Sequence, residues 1–119
     1  MRSKPSNSKP YLSHIRDNII YIQGLLAGLA YDEFKRSRTH FYATTRALEI
    51  ISEASRRLPE AMKARHSEIP WTDIAAAGSV YRHDYEDVQE HRVWITAQNY
   101  LPPLLTVVEE ELRRLEELP

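Results

Sequence analysis

The sequence predicts an all-α protein, a single-domain bundle of four to five helices, and three observations lead to this prediction. Apolar residues recur at steps of three and four over residues 11–30, 39–58 and 91–118, which is the spacing of one helix face. The chain has only three glycines in 119 residues, which favours helices over a turn-rich β fold. Alanines cluster on the predicted faces, where they permit close helix packing. A chain of this length has room for one core.

The N-terminal half begins with a polar segment and continues with one long helix. Residues 1–9 show no periodicity, so we expect a mobile tail there, followed by the bundle domain over residues 10–119. The first helix is predicted from Tyr11 to about Ala30. Its apolar stripe consists of Leu12, Ile15, Ile19, Ile22, Leu26 and Leu29. Residues 31–34 then indicate a short helical turn with Asp32 near its start.

The second long helix is predicted from Thr39 to Leu58. Its apolar face consists of Ala43, Ala47, Ile50, Ile51, Ala54 and Leu58. Arg46, Glu49 and Glu53 lie on the adjoining face, at the border between core and water. Two interpretations of these three residues stay open. They are either solvated ion pairs, each contributing roughly a few tenths of a kcal/mol, or the polar wall of a cleft.

Prolines divide the C-terminal half into shorter helices. Pro59 ends the second helix and starts a short one, predicted from Glu60 to about Arg65. Another helix is predicted over residues 71–77. The last helical pattern covers residues 91–118, and we expect a kink or restart at Pro102-Pro103, because proline supplies no backbone donor.

Composition excludes several classes of protein. The chain has no cysteine, so disulfides, thiol catalysis and zinc–thiolate sites are ruled out. The five histidines include no i, i+4 pair, and we expect no metal site. A net charge of −1 gives no general attraction to nucleic acid, so any such contact needs a local basic patch. No apolar run is long enough to span a bilayer and the N-terminus lacks a signal-peptide core, so a cytoplasmic protein is expected.

In the stretch from Gly78 to Tyr85, side chains that can take part in chemistry lie closest together in the sequence. Its sequence is Gly-Ser-Val-Tyr-Arg-His-Asp-Tyr, which places His83 directly after Arg82 and before Asp84 and Tyr85. Histidine is the side chain whose ordinary pKa suits proton transfer near neutral pH. From residue types alone, the stretch is either a site for proton transfer or a polar helix end that faces water.

Four blocks of the sequence together resemble the HepT-like branch of the HEPN proteins. These blocks are residues 46–58, the Ile-Pro-Trp-Thr-Asp-Ile-Ala run at 69–75, His83-Asp84-Tyr85, and Val93-Trp94 with Leu101-Pro102. The resemblance covers roughly residues 11–115, and the order and spacing of the blocks are specific. It implies a small helical bundle, usually dimeric, whose best-characterised examples are metal-independent ribonuclease toxins without a cofactor.

The resemblance also implies a partner and a motif. The partner is a minimal nucleotidyltransferase antitoxin, which in some pairs attaches AMP to the motif tyrosine. The chain lacks a phosphate-cradling glycine loop, so it is not itself that nucleotidyltransferase. The family motif is Arg, four residues, His, one residue, Tyr, which places His83 and Tyr85 in the histidine and tyrosine positions.

The arginine position of the motif falls on Gly78, and the usual asparagine after it is Ser79. The departure removes the group best suited to bind a phosphate in a bidentate manner. If residues 78–83 continue the helix, Arg82 lies one turn from Gly78, and the glycine would leave space for its guanidinium. Arg82 then either replaces the missing arginine or only opposes protonation of His83 by like-charge repulsion.

The sequence therefore supports one leading function and two alternatives. The leading one is a dimeric HepT-like toxin that cleaves RNA without metal, with His83 moving a proton and Arg82 stabilising charge on the phosphate. A nucleotidyltransferase antitoxin silences it and adds AMP to Tyr85. The supporting residues expected around the site are Ser79, Asp84, Arg46, Glu49 and Glu53. The runner-up is a catalytically decayed module that docks a nucleotidyltransferase and presents substrate to it. A helical scaffold without any role in RNA chemistry is the third.

Overall fold

The computed structural model describes residues 8–79 and 86–118. Within these ranges the chain forms seven α-helices and one π-helical turn, and no strand. The elements are α1 (Lys9–Leu26), α2 (Tyr31–Lys35), α3 (Arg38–Arg56), α4 (Glu60–Arg65), α5 (Trp71–Ala76), α6 (Glu86–Ile95), the π turn (Thr96–Tyr100) and α7 (Leu101–Glu116). The predicted all-α bundle is confirmed.

The long helix α1 packs against α3 and α7 and contributes one continuous stripe to the core. Five of the six residues predicted for that stripe are buried, and Leu29 is half-buried. The helix begins at Lys9, inside the segment expected as a tail, and Ser8 before it is buried. It ends at Leu26, four residues earlier than predicted, because Gly28 adopts a φ of +78° that a continuing helix does not allow.

Helix α3 lies at the centre of the bundle and contacts α1, α5, α2 and α6. Ser37 caps its first turn by accepting a hydrogen bond from the backbone N–H of His40 at 3.2 Å. Ala47, Ile51 and Ala54 are buried as predicted. Three hydroxyl residues share the buried face, although their residue types did not suggest it. These are Thr44, Ser52 and Ser55.

The short helices α4 and α5 are joined through the indole of Trp71. Its Nε1–H donates to the carbonyls of Lys63 at 3.1 Å and of His66, the residue that caps the C-terminal end of α4, at 3.0 Å. Each of these carbonyls also accepts a backbone N–H from the turn that follows. Ile69, two residues before the indole, is buried. The Ile-Pro-Trp segment thus fixes where α5 starts relative to α4.

The C-terminal pattern is interrupted before its prolines. The π turn, Thr96–Tyr100, precedes α7, and Pro102 and Pro103 lie in the first turn of that helix. A proline has no N–H to donate to the carbonyl four residues earlier, and its ring crowds that carbonyl. The wider π turn relieves this crowding, so the expected restart occurs a few residues before the Pro-Pro pair.

An aromatic cluster holds α6 against α2. Trp94 contacts Tyr31 with ring centroids 5.8 Å apart and Phe34 at 5.3 Å, and Phe34 contacts Phe41 of α3 at 6.2 Å. Tyr31 also meets the ring of His91 edge-on at 5.7 Å. Such pairs add about 0.5–1.5 kcal/mol each beyond the area that they bury. The cluster therefore fixes the helix that directly follows residues 80–85.

A buried carboxylate ties α7 to the end of α4. Glu111 is 2% exposed, and its carboxylate accepts hydrogen bonds from the Arg65 guanidinium at 2.8 Å and contacts His66 Nε2 at 2.6 Å. Burial alone would raise the pKa of Glu111, but the hydrogen bonds and charges of Arg65 and His66 outweigh it and hold this pKa below its ordinary value. Folding therefore favours the ionised carboxylate at this position.

Replacing Glu111 by Gln should lower the free energy of unfolding at neutral pH by about 3 kcal/mol, because one partner of a buried charged cluster is lost. The folded pKa lies below the unfolded one, so the contribution of Glu111 is present above the ordinary carboxyl pKa. It is lost as the pH falls through the folded pKa. Urea unfolding at several pH values should therefore show a smaller acid-induced loss of stability in Glu111→Gln than in the unaltered chain.

Glu110→Gln is the matched control, because Glu110 is the neighbouring carboxylate and is exposed. It should change the free energy of unfolding by less than about 0.5 kcal/mol. Equal effects of the two substitutions, or parallel pH curves for Glu111→Gln and the unaltered chain, would contradict the role given to Glu111.

Candidate functional site

The described part of the site predicted from the sequence lies where α5 ends against α3. Of its residues, the structure describes Gly78, Ser79, Arg46, Glu49 and Glu53. Arg82, His83, Asp84 and Tyr85 lie outside the described residues. The geometry of the site is therefore built from the two segments that flank residues 80–85, namely the end of α5 and the helix α6.

The hydroxyl group of Ser52 determines where α5 ends. In a continuing α-helix the N–H of Gly78 would donate to the carbonyl of Ile74, four residues earlier. The Ser52 hydroxyl of α3 occupies that position instead. It accepts from the Gly78 N–H at 2.8 Å and donates to the Ile74 carbonyl at 2.8 Å. The Ser79 N–H then donates to the carbonyl of Ala76, three residues earlier, at 3.0 Å, which makes a turn tighter than that of an α-helix.

The helix was expected to run through residue 77 and into the motif, and this expectation is wrong at residues 77–79. Helix α5 ends at Ala76 and residues 77 and 78 form a turn, because Ser52 separates the two groups that the next helical hydrogen bond would join. Arg56 holds the same end, since its guanidinium donates to the carbonyl of Ala75. A cation at this end of a helix also opposes the negative pole of the helix dipole.

Gly78 packs directly on the backbone of α3. A Cβ built on it would lie 2.8 Å from the Cα of Glu49 and 3.0 Å from the Ser52 hydroxyl. The expectation that this glycine leaves space for the guanidinium of Arg82 is therefore wrong. The volume that a side chain at 78 would fill is already occupied by α3, so glycine is the residue that this helix approach requires.

The three predicted wall residues do line one exposed side of α3, but they act mostly in pairs. Arg46 bonds to Glu49 at 3.1 Å, and Glu49 borders Gly78. Glu53 accepts from Arg56 at 3.1 Å and from Arg57 at 3.2 Å, so it orients the arginine that holds the end of α5. The first interpretation of these residues, exposed ion pairs, describes their contacts. Two of these pairs, Arg46–Glu49 and Glu53–Arg56, also lie beside the end of α5, where the motif begins.

Sequence reasoning missed Ser52 and Arg56. The signal for Ser52 is its position between Ile51 and Ala54, because a hydroxyl on a buried helix face must bond to a neighbouring backbone group. Arg56 carries no comparable signal, because its bond to Ala75 joins residues that only the fold brings together.

Over residues 8–79 and 86–118, no three His, Asp or Glu side chains lie close enough together to hold a metal ion. Across the same ranges, none of the helices combines the length and the apolar character needed to cross a bilayer.

Comparison with known proteins identifies the family. The family model described as "Ribonuclease HepT-like" matches residues 15–111, which include the α3–α5 contact and all of the 78–85 stretch. The chain belongs to the ribonuclease HepT-like family. The predicted resemblance to HepT-like HEPN proteins is thereby confirmed.

Several curated relatives match the HepT-like chain over nearly its whole length. One from Caldanaerobacter subterraneus subsp. tengcongensis, whose name reads "Putative RNase", is 31% identical over 106 residues, covering 89% of this chain and 95% of the relative. A "Probable ribonuclease HepT" from Thermococcus cleftensis is 33% identical over 96 residues, covering 81% and 87%. A "Putative RNase" of Methanocaldococcus jannaschii is 28% identical over 109 residues, covering 92% and 94%. No solved structure matches the chain.

Replacing Gly78 by Ala should destabilise the fold by about 2 kcal/mol, since the new methyl group would lie against the backbone of Glu49, which cannot move away without shifting α3. Urea unfolding monitored by circular dichroism measures this difference in the free energy of unfolding.

Gly24→Ala provides the matched control. Gly24 is exposed within α1, and a Cβ there has no atom within 4 Å. Alanine at this position should stabilise the protein by about 0.5–1 kcal/mol through helix propensity. If Gly78→Ala is as stable as Gly24→Ala, Gly78 does not make the close approach described above.

Proposed function

We propose that this HepT-like chain is the toxin component of a cytoplasmic type II toxin–antitoxin system and that it cleaves RNA without a metal ion. The observation that carries the proposal is the match to the ribonuclease HepT-like family over residues 15–111, which contain the His83 and Tyr85 positions of the motif. The names of the curated relatives, which read as ribonucleases, agree with it.

Within this proposal His83 and Arg82 do the chemistry. The imidazole of His83 removes the proton of a ribose 2′-hydroxyl as that oxygen attacks the neighbouring phosphorus. The bond from phosphorus to the 5′-oxygen of the next nucleotide breaks, and the leaving oxygen takes a proton from water, which gives a 2′,3′-cyclic phosphate and a 5′-hydroxyl end. Negative charge grows on the phosphate oxygens in that step, and the Arg82 guanidinium stabilises it. A contact of this kind is worth ~3 kcal/mol in a transition state, or on the order of a hundredfold in rate.

The remaining site residues support this pair. Ser79 ends the turn after α5, and Asp84 follows the histidine. Arg46, Glu49 and Glu53 border the same place from α3 and would form one wall of the cleft. We further propose a homodimer in which two copies of residues 46–53 and 78–85 face a shared cleft that binds RNA.

A nucleotidyltransferase antitoxin would regulate the activity. AMP attached to the Tyr85 hydroxyl adds a negatively charged phosphodiester two residues from His83. That charge would compete with the RNA phosphate for the same cations. Modification of Tyr85 would therefore silence the ribonuclease without unfolding it.

One observation favours the alternative of a binding module without catalysis. Gly78 occupies the arginine position of the family motif, and the close approach to Glu49 excludes any side chain there. Without a second cation that replaces the arginine, the protein would bind its nucleotidyltransferase partner and RNA but not cleave RNA.

The proposal predicts that His83→Ala abolishes cleavage of a structured RNA in the presence of EDTA. Arg82→Ala should slow cleavage on the order of a hundredfold, because no arginine occupies position 78. Both variants should unfold at the same urea concentration as the unaltered chain. Gel analysis of the cleavage products, with rates taken under single-turnover conditions, measures the effect.

Gly78→Arg looks like the natural way to restore the motif, but it is unsuitable as a test, because the Cβ of any side chain would collide with α3. Cleavage that persists in both His83→Ala and Arg82→Ala would contradict the catalytic assignment. No cleavage by the unaltered chain, with RNA binding retained, would favour the binding module.

A further inference from the structure

The family arginine has no equivalent at its own position, and the structure excludes one there. The backbone of Glu49 fills the space beside Gly78. A second cation that binds the RNA phosphate has to come from another element. Helix α3 packs against the end of α5, and α6 follows the motif, so the arginines of α3 and α6 are the candidates.

The arginines of α3 are engaged with other groups. Arg46 bonds to Glu49 at 3.1 Å, and Arg56 bonds to Glu53 and to the carbonyl of Ala75. Each of these two guanidinium groups has a carboxylate partner that partly neutralises it, and the guanidinium of Arg38, the third arginine of α3, donates to the Tyr42 hydroxyl at 3.3 Å. Binding a phosphate there would require breaking an existing pair.

Arg92 of α6 differs from them in this respect. Its side chain is exposed, and among the residues whose side chains the structure describes, 8–79 and 88–118, its guanidinium forms no ion pair or hydrogen bond. The helix that carries it is well anchored. The next residue, Val93, is 2% exposed, and Trp94 lies in the aromatic cluster with Tyr31 and Phe34.

Arg92 and Ser79 line the same small depression. Its other lining residues are Ala77, Gln89, Val93 and Thr96. Ser79 is the last described residue before the motif segment, so this depression connects the end of α5 to α6. Gln89, one turn before Arg92, is 4% exposed and forms part of its floor.

The size of the depression limits what it can hold. Its volume is about 20 Å³, which is enough for one water-sized group. A nucleobase or a sugar does not fit, whereas a single phosphate oxygen does. Arg92 and Ser79 both line the depression, and a guanidinium and a hydroxyl are donors that a phosphodiester oxygen accepts from.

We infer that Arg92 and Ser79 form a phosphate-binding site for the RNA chain beside the motif. This inference deepens the proposed ribonuclease function and rests on it for the identity of the ligand. Arg92 binds a phosphate of the substrate before and during the reaction. Arg82 keeps the separate role of stabilising charge as it develops. Loss of Arg92 should therefore weaken binding and raise KM, with a smaller effect on kcat.

Binding of a single-stranded RNA with 2′-O-methyl groups tests the inference, because this RNA lacks the attacking hydroxyl and cannot be cleaved. Arg92→Ala should weaken its binding about tenfold. The slope of log affinity against log salt concentration should become shallower by about 0.7, the value for one lost phosphate contact on a single strand. Arg92→Lys keeps the charge but loses the planar guanidinium, so its affinity for this RNA should lie between those of Arg92→Ala and the unaltered chain.

Arg113→Ala is the matched control, since Arg113 is exposed on α7 and likewise unpaired within the described part of the chain. It should bind the RNA as the unaltered chain does. Unchanged affinity and salt slope in Arg92→Ala would overturn the inference, as would equal losses in the two variants. The result is independent of cleavage. If the unaltered chain cleaves no RNA in the presence of EDTA, weaker RNA binding by Arg92→Ala would still support the phosphate site.

Discussion

The hydrogen bonds of the Ser52 hydroxyl determine how the rest of the site is arranged. This group stands between the N–H of Gly78 and the carbonyl of Ile74 and replaces one helical hydrogen bond with two bonds to α3. It is almost fully buried, so an unsatisfied group there would cost about 1–3 kcal/mol. The end of α5 is therefore fixed to α3, and the chain leaves the helix directly before the motif.

Other contacts place the elements around this point. The Trp71 indole sets the start of α5 by bonding to the last carbonyls of α4, and Arg56 holds the carbonyl of Ala75 near its end. On the far side of the motif, Trp94 anchors α6 among aromatic rings of α2. Both flanks of residues 80–85 are thus attached to the core. This is the arrangement that a catalytic segment needs if its side chains are to act at defined positions.

The fold and the candidate site were predictable from the sequence to different degrees. The apolar periodicity of α1 and the proline at the start of α4 predicted those elements, because burial and backbone chemistry act locally.

The early end of α5 was not predictable, because it depends on Ser52, a residue 26 positions away from Gly78. The same holds for Gly78 itself. Its residue type suggested empty space, whereas α3 fills that space. Arg46, Glu49 and Glu53 were expected at the border of α3 and are exposed there. Their ion pairs, Arg46 with Glu49 and Glu53 with Arg56 and Arg57, are local pairs three or four positions apart.

Amide hydrogen exchange at Gly78 measures whether the Ser52 hydroxyl fixes the end of α5 and thereby the start of the motif. In Ser52→Ala the Gly78 N–H loses its acceptor, and its exchange should become about tenfold faster. Ser55→Ala is the control, because Ser55 is equally buried on α3 but bonds only within that helix, to the carbonyl of Ser52. Exchange at Gly78 should stay unchanged in this variant. Equal exchange rates at Gly78 in Ser52→Ala and Ser55→Ala would show that the Ser52 hydroxyl does not fix the end of α5.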